Sequence, residues 1–95
     1  MAEQYFRGTN RIFYRSKGFQ EGLDVTAQFL NPSMIWGSEV VLDELGSGLY
    51  FFDLMMNQVG TWVGLFYEDG EKVLSQNFYV ISAHRTRDGG NLLNR

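Results

Sequence analysis

The 95-residue sequence predicts an all-β fold, a small antiparallel β-sandwich of about seven strands. Three observations carry that prediction. Short runs of strand-forming residues recur between turn signals at intervals of roughly 8–12 residues. Asp69-Gly70 stands between two apolar runs, and a type I′ hairpin favours that pair because it needs positive φ at both central positions. Eight Phe, five Tyr and two Trp, with eleven Gly and a single Pro, favour strands and tight turns over helices.

In chain order, residues 1–10 read as an N-terminal arm, though Tyr5-Phe6 is apolar for a purely solvated one. Arg11 to Arg15 reads as a short strand ending at the Lys17-Gly18 turn. From Leu23 to Phe29, Leu23, Val25, Ala27 and Phe29 alternate with Asp24, Thr26 and Gln28, the period-two pattern of a half-buried strand. Asn31-Pro32-Ser33 stops it, because Pro donates no ladder hydrogen bond. Met34-Ile35-Trp36 is a short run closed by Gly37, and Glu39 to Leu45 is a strand with Val40 and Leu42 on one side and Val41 and Asp43 on the other. Gly46-Ser47-Gly48 turns the chain into Leu49–Met56, and Asn57 to Gly60 turns it into Thr61–Tyr67. After the Asp69-Gly70 hairpin, Lys72 to Ile81 is the return strand, and residues 82–95 form a C-terminal arm. The sandwich therefore spans residues 11–81.

The formal net charge of -3 is unevenly distributed. Residues 1–17 carry Arg7, Arg11, Arg15 and Lys17 against Glu3, and residues 82–95 carry Arg85, Arg87 and Arg95 against Asp88. Between them nine acids face only Lys72. Basic ends on an acidic body suit arms that reach an acidic neighbour, including another copy. The acidic body counts against a phosphate groove, and hence against nucleic acid as the main partner, although Arg11-Ile-Phe-Tyr-Arg15 interleaves cations with aromatics as an OB-fold groove would.

No residue pattern points to catalysis, and neither an enzyme nor a cofactor is expected. There is no cysteine, hence no disulfide framework or thiolate metal site. His84 has only Asp88 nearby in sequence, which makes neither a triad nor a metal set. Asp43 and Glu44 are adjacent on a strand and point to opposite faces. Glu68, Asp69 and Glu71 lack the spacing of a calcium loop. Gly46-Ser47-Gly48 lacks the P-loop pattern and leads into a strand, with no helix N-terminus to hold an anion. An enzyme would need Asp43, Glu44 or Asp53 to gather with His84 in a cleft. No run approaches the ~20 apolar residues of a membrane helix, and MAEQYFR has no basic segment followed by an apolar run. The expectation is a protein made in a cytoplasm, without a membrane partner.

The stretch EVVLDELGSGLYFFDL followed by VGTWVGLFYEDGEKVLSQNFYVI resembles the C-terminal half of immunoglobulin-like β-sandwich domains, which recur in bacterial surface proteins and phage virion proteins. The resemblance rests on Leu45, Gly46, Gly48, Tyr50, Gly60, Trp62 and Asp69-Gly70, and covers under half the chain. The cysteine pair of antibody domains is missing, and the first 22 residues have no counterpart. It implies an immunoglobulin-like sandwich with extended arms, and a role in adhesion, decoration or spacing on a large assembly such as a virion.

Several strands are apolar on both faces, whereas a two-layer sandwich leaves one face of each sheet in water. With Tyr50, Phe52, Trp62, Phe66, Phe78 and Val80 in the core, Phe51, Leu65, Tyr67, Tyr79 and Ile81 face outward, with Met55 on the same outer face. Exposed apolar surface of this kind marks a binding site, unless the arms at residues 1–10 and 82–95 fold back over it. Trp36, beside Gly37, is a further anchor. The interface candidates are Tyr5, Phe6, Trp36, Phe51, Leu65, Tyr67, Tyr79, Arg85 and Arg87. They point to protein neighbours, either assembly subunits or further copies. An alternative is a carbohydrate-binding or adhesion module with Trp36, Tyr67 and Tyr79 as its platform.

Overall fold

A computed structural model of the chain describes residues 3–82. Among the described residues there are eight strands and no helix: β1 (Glu3–Phe6), β2 (Gly8–Arg15), β3 (Val25–Leu30), β4 (Val40–Val41), β5 (Asp43–Gly46), β6 (Leu49–Met56), β7 (Gly60–Glu68) and β8 (Glu71–Ile81). They form a five-stranded sheet in the order β1-β8-β7-β3-β4 and a three-stranded sheet in the order β2-β6-β5. Every pairing is antiparallel except that of β1 with β8.

Alternation decides what each strand buries. Ile12, Tyr14, Tyr50 and Met56 of the smaller sheet meet Val25, Ala27, Phe29, Trp62, Phe66, Phe78 and Val80 of the larger one. Phe66 stacks on Tyr14 at 5.4 Å between ring centroids and meets Phe29 edge-on at 5.9 Å, the offset geometries aromatic quadrupoles favour. Burying a side chain such as Phe66 or Phe78 stabilises the fold by roughly 1.5–3 kcal/mol. Gly64 leaves room for this packing, since a Cβ there would lie 2.9 Å from both Phe29 and Phe78.

The polar groups that enter the core are partnered. The Tyr14 hydroxyl donates to the Glu68 carboxylate, tying the two sheets together. The Tyr50 hydroxyl donates to the Gln20 carbonyl (3.0 Å) and accepts from the Leu23 amide (3.1 Å). Buried Ser16 accepts from the Gln20 amide at 2.6 Å.

Both hairpin turns follow from their residues. Asp69 and Gly70 have φ of 49° and 87°, and Ser47 and Gly48 have 54° and 75°, two positive values in each case. Gly48 is the more constrained, because a Cβ there would lie 2.4 Å from the backbone of Phe19.

Three segments differ from expectation. Residues 3–10 of the segment read as an arm (1–10) lie in strands apart from Arg7: β1 pairs with β8 and β2 begins at Gly8. Its register sets Tyr5 beside Val80 and Phe6 beside Ile81, so β1 extends a sheet whose apolar rows already exist. Glu39–Leu45, read as one strand, is divided between the two sheets as β4 and β5. The chain crosses over at Leu42, which is buried and whose amide bonds the Val25 carbonyl at 2.9 Å. Met34–Trp36 is a loop with a single bridge, Trp36 to Leu30. The Asn31 side chain braces it by accepting from the Ser33 and Ile35 amides at 2.9 and 3.0 Å.

Candidate functional site

The strand registers place each candidate residue on a particular face. On the outside of the larger sheet, successive rows read Val41–Thr26–Tyr67, Gln28–Leu65–Ser75, Trp36–Leu30–Val63–Asn77, Thr61–Tyr79–Gln4 and Ile81–Phe6. Paired residues share a face, so Trp36, Leu65, Tyr67, Tyr79 and Phe6 belong to one surface. Trp36, Tyr79, Ile81 and Phe6 are exposed, while Leu30, Val63, Leu65 and Tyr67 are half-buried by their neighbours. From the Gln28 row to the Ile81 row, these positions carry no charged side chain among the described residues.

The smaller sheet has a different exterior. Thr9, Arg11, Phe13 and Arg15 of β2 lie beside Met55, Asp53, Phe51 and Leu49 of β6. Arg11 holds Asp53 through two hydrogen bonds, Nε to Oδ1 at 2.8 Å and Nη2 to Oδ2 at 3.1 Å. The same guanidinium lies 4.3 Å from the centroid of the Phe51 ring. This hydrogen-bonded pair holds the Asp53 carboxyl below its ordinary pKa and raises that of Arg11. Phe51 is thereby capped by a cation.

Three residues consequently leave the proposed surface. Phe51 and Met55 sit on the smaller sheet, on the opposite side of the sandwich from Leu65, Tyr67 and Tyr79. Alternation fixes that a side chain points outward but not which sheet it points from. Tyr5 turns inward against Phe78, with ring centroids 5.7 Å apart, because its partner in register is the buried Val80. Arg85, Arg87 and His84 lie outside the described residues. Leu30 and Val63 join the surface without having been singled out. Their signal was the outward parity of Leu30 after Phe29 and of Val63 after Trp62.

A cleft of about 420 Å³ opens between the sheets, lined chiefly by Phe29, Ile35, Val40, Phe52, Leu54 and Trp62. Of its polar lining, Asn31 braces its own loop and Asp53 holds Arg11. No protein-family model matches the chain, and no curated protein matches it. Among the described residues no three His, Cys, Asp or Glu side chains converge as a metal set. Glu44 accepts from the Gly22 amide at 3.0 Å and Asp53 is paired, so neither stands free as an acid or base in a cleft. The Tyr14 phenol is pushed well above its ordinary pKa, first by burial and then by its bond to Glu68, which keeps it a neutral donor. Its role is to join the sheets.

Proposed function

We propose that this chain is a non-catalytic interaction module, a subunit of a large assembly such as a virion, where it decorates a capsid or accompanies a fibre. It binds a protein neighbour through the outer face of the larger sheet. The observation that carries this reading is the surface bearing Trp36, Leu65, Tyr79 and Phe6, uncharged among the described residues from the Gln28 row to the Ile81 row, with Tyr67 at its edge beside Lys72. A wet sheet face needs no such concentration of aromatics, whereas the centre of a protein interface is depleted in charge and enriched in aromatic residues. Glu39 and Lys72 lie at its border, as charged rim residues do.

The strand order supports the immunoglobulin-like part of the reading. A three-stranded sheet of β2, β6 and β5 against a sheet containing β3, β7 and β8 matches the B-E-D and C-F-G groupings of those domains. Trp62 near the start of β7 donates its indole N–H back to the Gln58 carbonyl at 3.0 Å, as the tyrosine of a tyrosine corner does with its hydroxyl. The virion setting rests on the family resemblance in residues 39–81.

The test is incorporation. Leu65→Arg and Tyr79→Glu place a charge on the face without touching the core, and both chains are expected to fold but to fail to join particles in a reconstitution assay. Asp43→Asn, on the smaller sheet, should join normally. Incorporation of both charged variants at the wild-type level would refute the reading. A carbohydrate-binding role is a second reading, favoured by Gln28 and Asn77 standing among the aromatics of the same face. Tyr67 and Tyr79 lie six β7 positions apart, about 20 Å, so only an extended saccharide would touch both. Binding to a glycan array that is lost in Tyr79→Ala would select it.

A further inference from the structure

Where β8 runs past β1, over residues 71–77, a register shift and the charges of Glu71 and Lys72 interrupt the free stretch, and where β6 runs past β5, over residues 52–56, it lines the cleft. Of the four outermost strands, three are short. β1 and β5 have four residues each and β4 has two, with the β5 register broken between Glu44 and Gly46. The fourth is β2, eight residues that pair with β6 without a break from Gly8–Met56 to Arg15–Leu49. Its opposite edge has no strand beside it among the described residues. Sandwiches ordinarily blunt such an edge with Pro, a bulge, unpaired charge or shortness, because its free N–H and C=O groups are a template for another strand. β2 has no Pro and no bulge. The charge of Arg11 is compensated by Asp53, and the Arg15 guanidinium is turned onto the Phe19 ring at 5.1 Å.

We infer that a second copy of this chain occupies that edge, β2 pairing antiparallel with its counterpart across a twofold axis, so that the two three-stranded sheets become one of six strands. The choice of occupant comes from the register. Residues directly opposite one another must share a face, so the axis passes beside a residue. With the axis at Arg11, that arginine faces its own copy. At Phe13, Arg11 faces Arg15. Both registers set like charges opposite each other, which destabilises a sheet.

With the axis at Ile12, near the middle of the strand, Arg11 faces Phe13 of the copy, Thr9 faces Arg15 and Asn10 faces Tyr14. No like charges meet, and the half-exposed Phe13 ring gains a cation and a cover. The strand is thus self-complementary in its most centred register, as a twofold interface requires.

The inference rests on the β2 edge and is independent of the larger sheet's outer face. Sedimentation velocity on the full chain, from low to high micromolar, should show a reversible dimer of the 10.9 kDa chain. Phe13→Lys sets a lysine opposite Arg11 at two symmetric positions and should weaken the dimer about tenfold or more, whereas Phe13→Glu should retain it. Phe13 is outside the core, so both variants are expected to keep the wild-type circular dichroism. The register has its own readout, since the chain has no cysteine. Thr9→Cys mixed with Arg15→Cys should cross-link through a short thiol-reactive linker, and each variant alone should not. A monomer throughout the range overturns the inference. So does a dimer indifferent to Phe13→Lys but broken by Leu65→Arg, which would leave the interaction-module reading standing.

Discussion

The two outer faces of this sandwich are built from the same strand chemistry and face water in different ways. On the three-stranded side, Arg11 binds Asp53 and covers Phe51, leaving Phe13 at the β2 edge as the exposed ring of that face. On the five-stranded side, Trp36, Tyr79, Ile81 and Phe6 stand among Thr, Gln and Asn side chains, with no cation over them among the described residues. What separates the faces is the placement of charge, since large apolar residues occur on both. Phe51, half-buried beneath an Arg–Asp pair, needs no partner to explain it. A broad aromatic surface without charge does.

The largest expected effect breaks the comparison by removing the scaffold on which both faces rest. Gly48→Ala forces a Cβ to within 2.4 Å of the Phe19 backbone at a positive φ, and should cost about 2–4 kcal/mol in urea unfolding. The next tests the link between the sheets. Tyr14→Phe removes the donor to Glu68 and leaves that carboxylate short of a partner, at a cost of roughly 1–2 kcal/mol in the same measurement.

Smaller effects sharpen the contrast. Leu65→Arg should change stability by only about 0.5–1 kcal/mol while abolishing incorporation, the separation of folding from binding that an interface residue shows. The smallest concerns the paired face and its dependence on pH. Asp53 has a lowered folded pKa, so the Arg11 pair contributes stability above the ordinary carboxylate range near pH 4 and loses it as pH falls through the lowered value. Asp53→Asn should therefore be slightly less stable than the wild type at neutral pH and approach it in acid, as read by thermal unfolding across pH. An unchanged gap between the two chains at low pH would show that the pair is not what stabilises this face.

Much of this architecture was legible in the residues, for identifiable reasons. Asp69-Gly70 and Ser47-Gly48 name their own turns, and alternation in Leu23–Phe29 separates buried from exposed positions without any long-range information. What escaped were relations between distant segments. β1 is two apolar residues and two polar ones until β8, more than seventy positions later, supplies its ladder. Glu39–Leu45 carries a continuous strand pattern, and only the docking of Leu42 against Val25 shows where it changes sheets. The same limit divided the outward aromatics: parity placed Phe51 and Leu65 outside but held nothing about which sheet each belonged to. The acid that meets Arg11 lies 42 positions away, so Phe51, already covered by that cation, looked as available as the rest.

Hydroxyl-radical footprinting of the chain, free and in the assembly we propose it joins, tests the central claim most directly. The account predicts protection of Trp36, Leu65, Tyr67 and Tyr79 on assembly, with Leu49 and Met55 of the smaller sheet labelled equally in both states. Protection of Leu49 and Met55 with unchanged labelling of Trp36 and Tyr79 would contradict it.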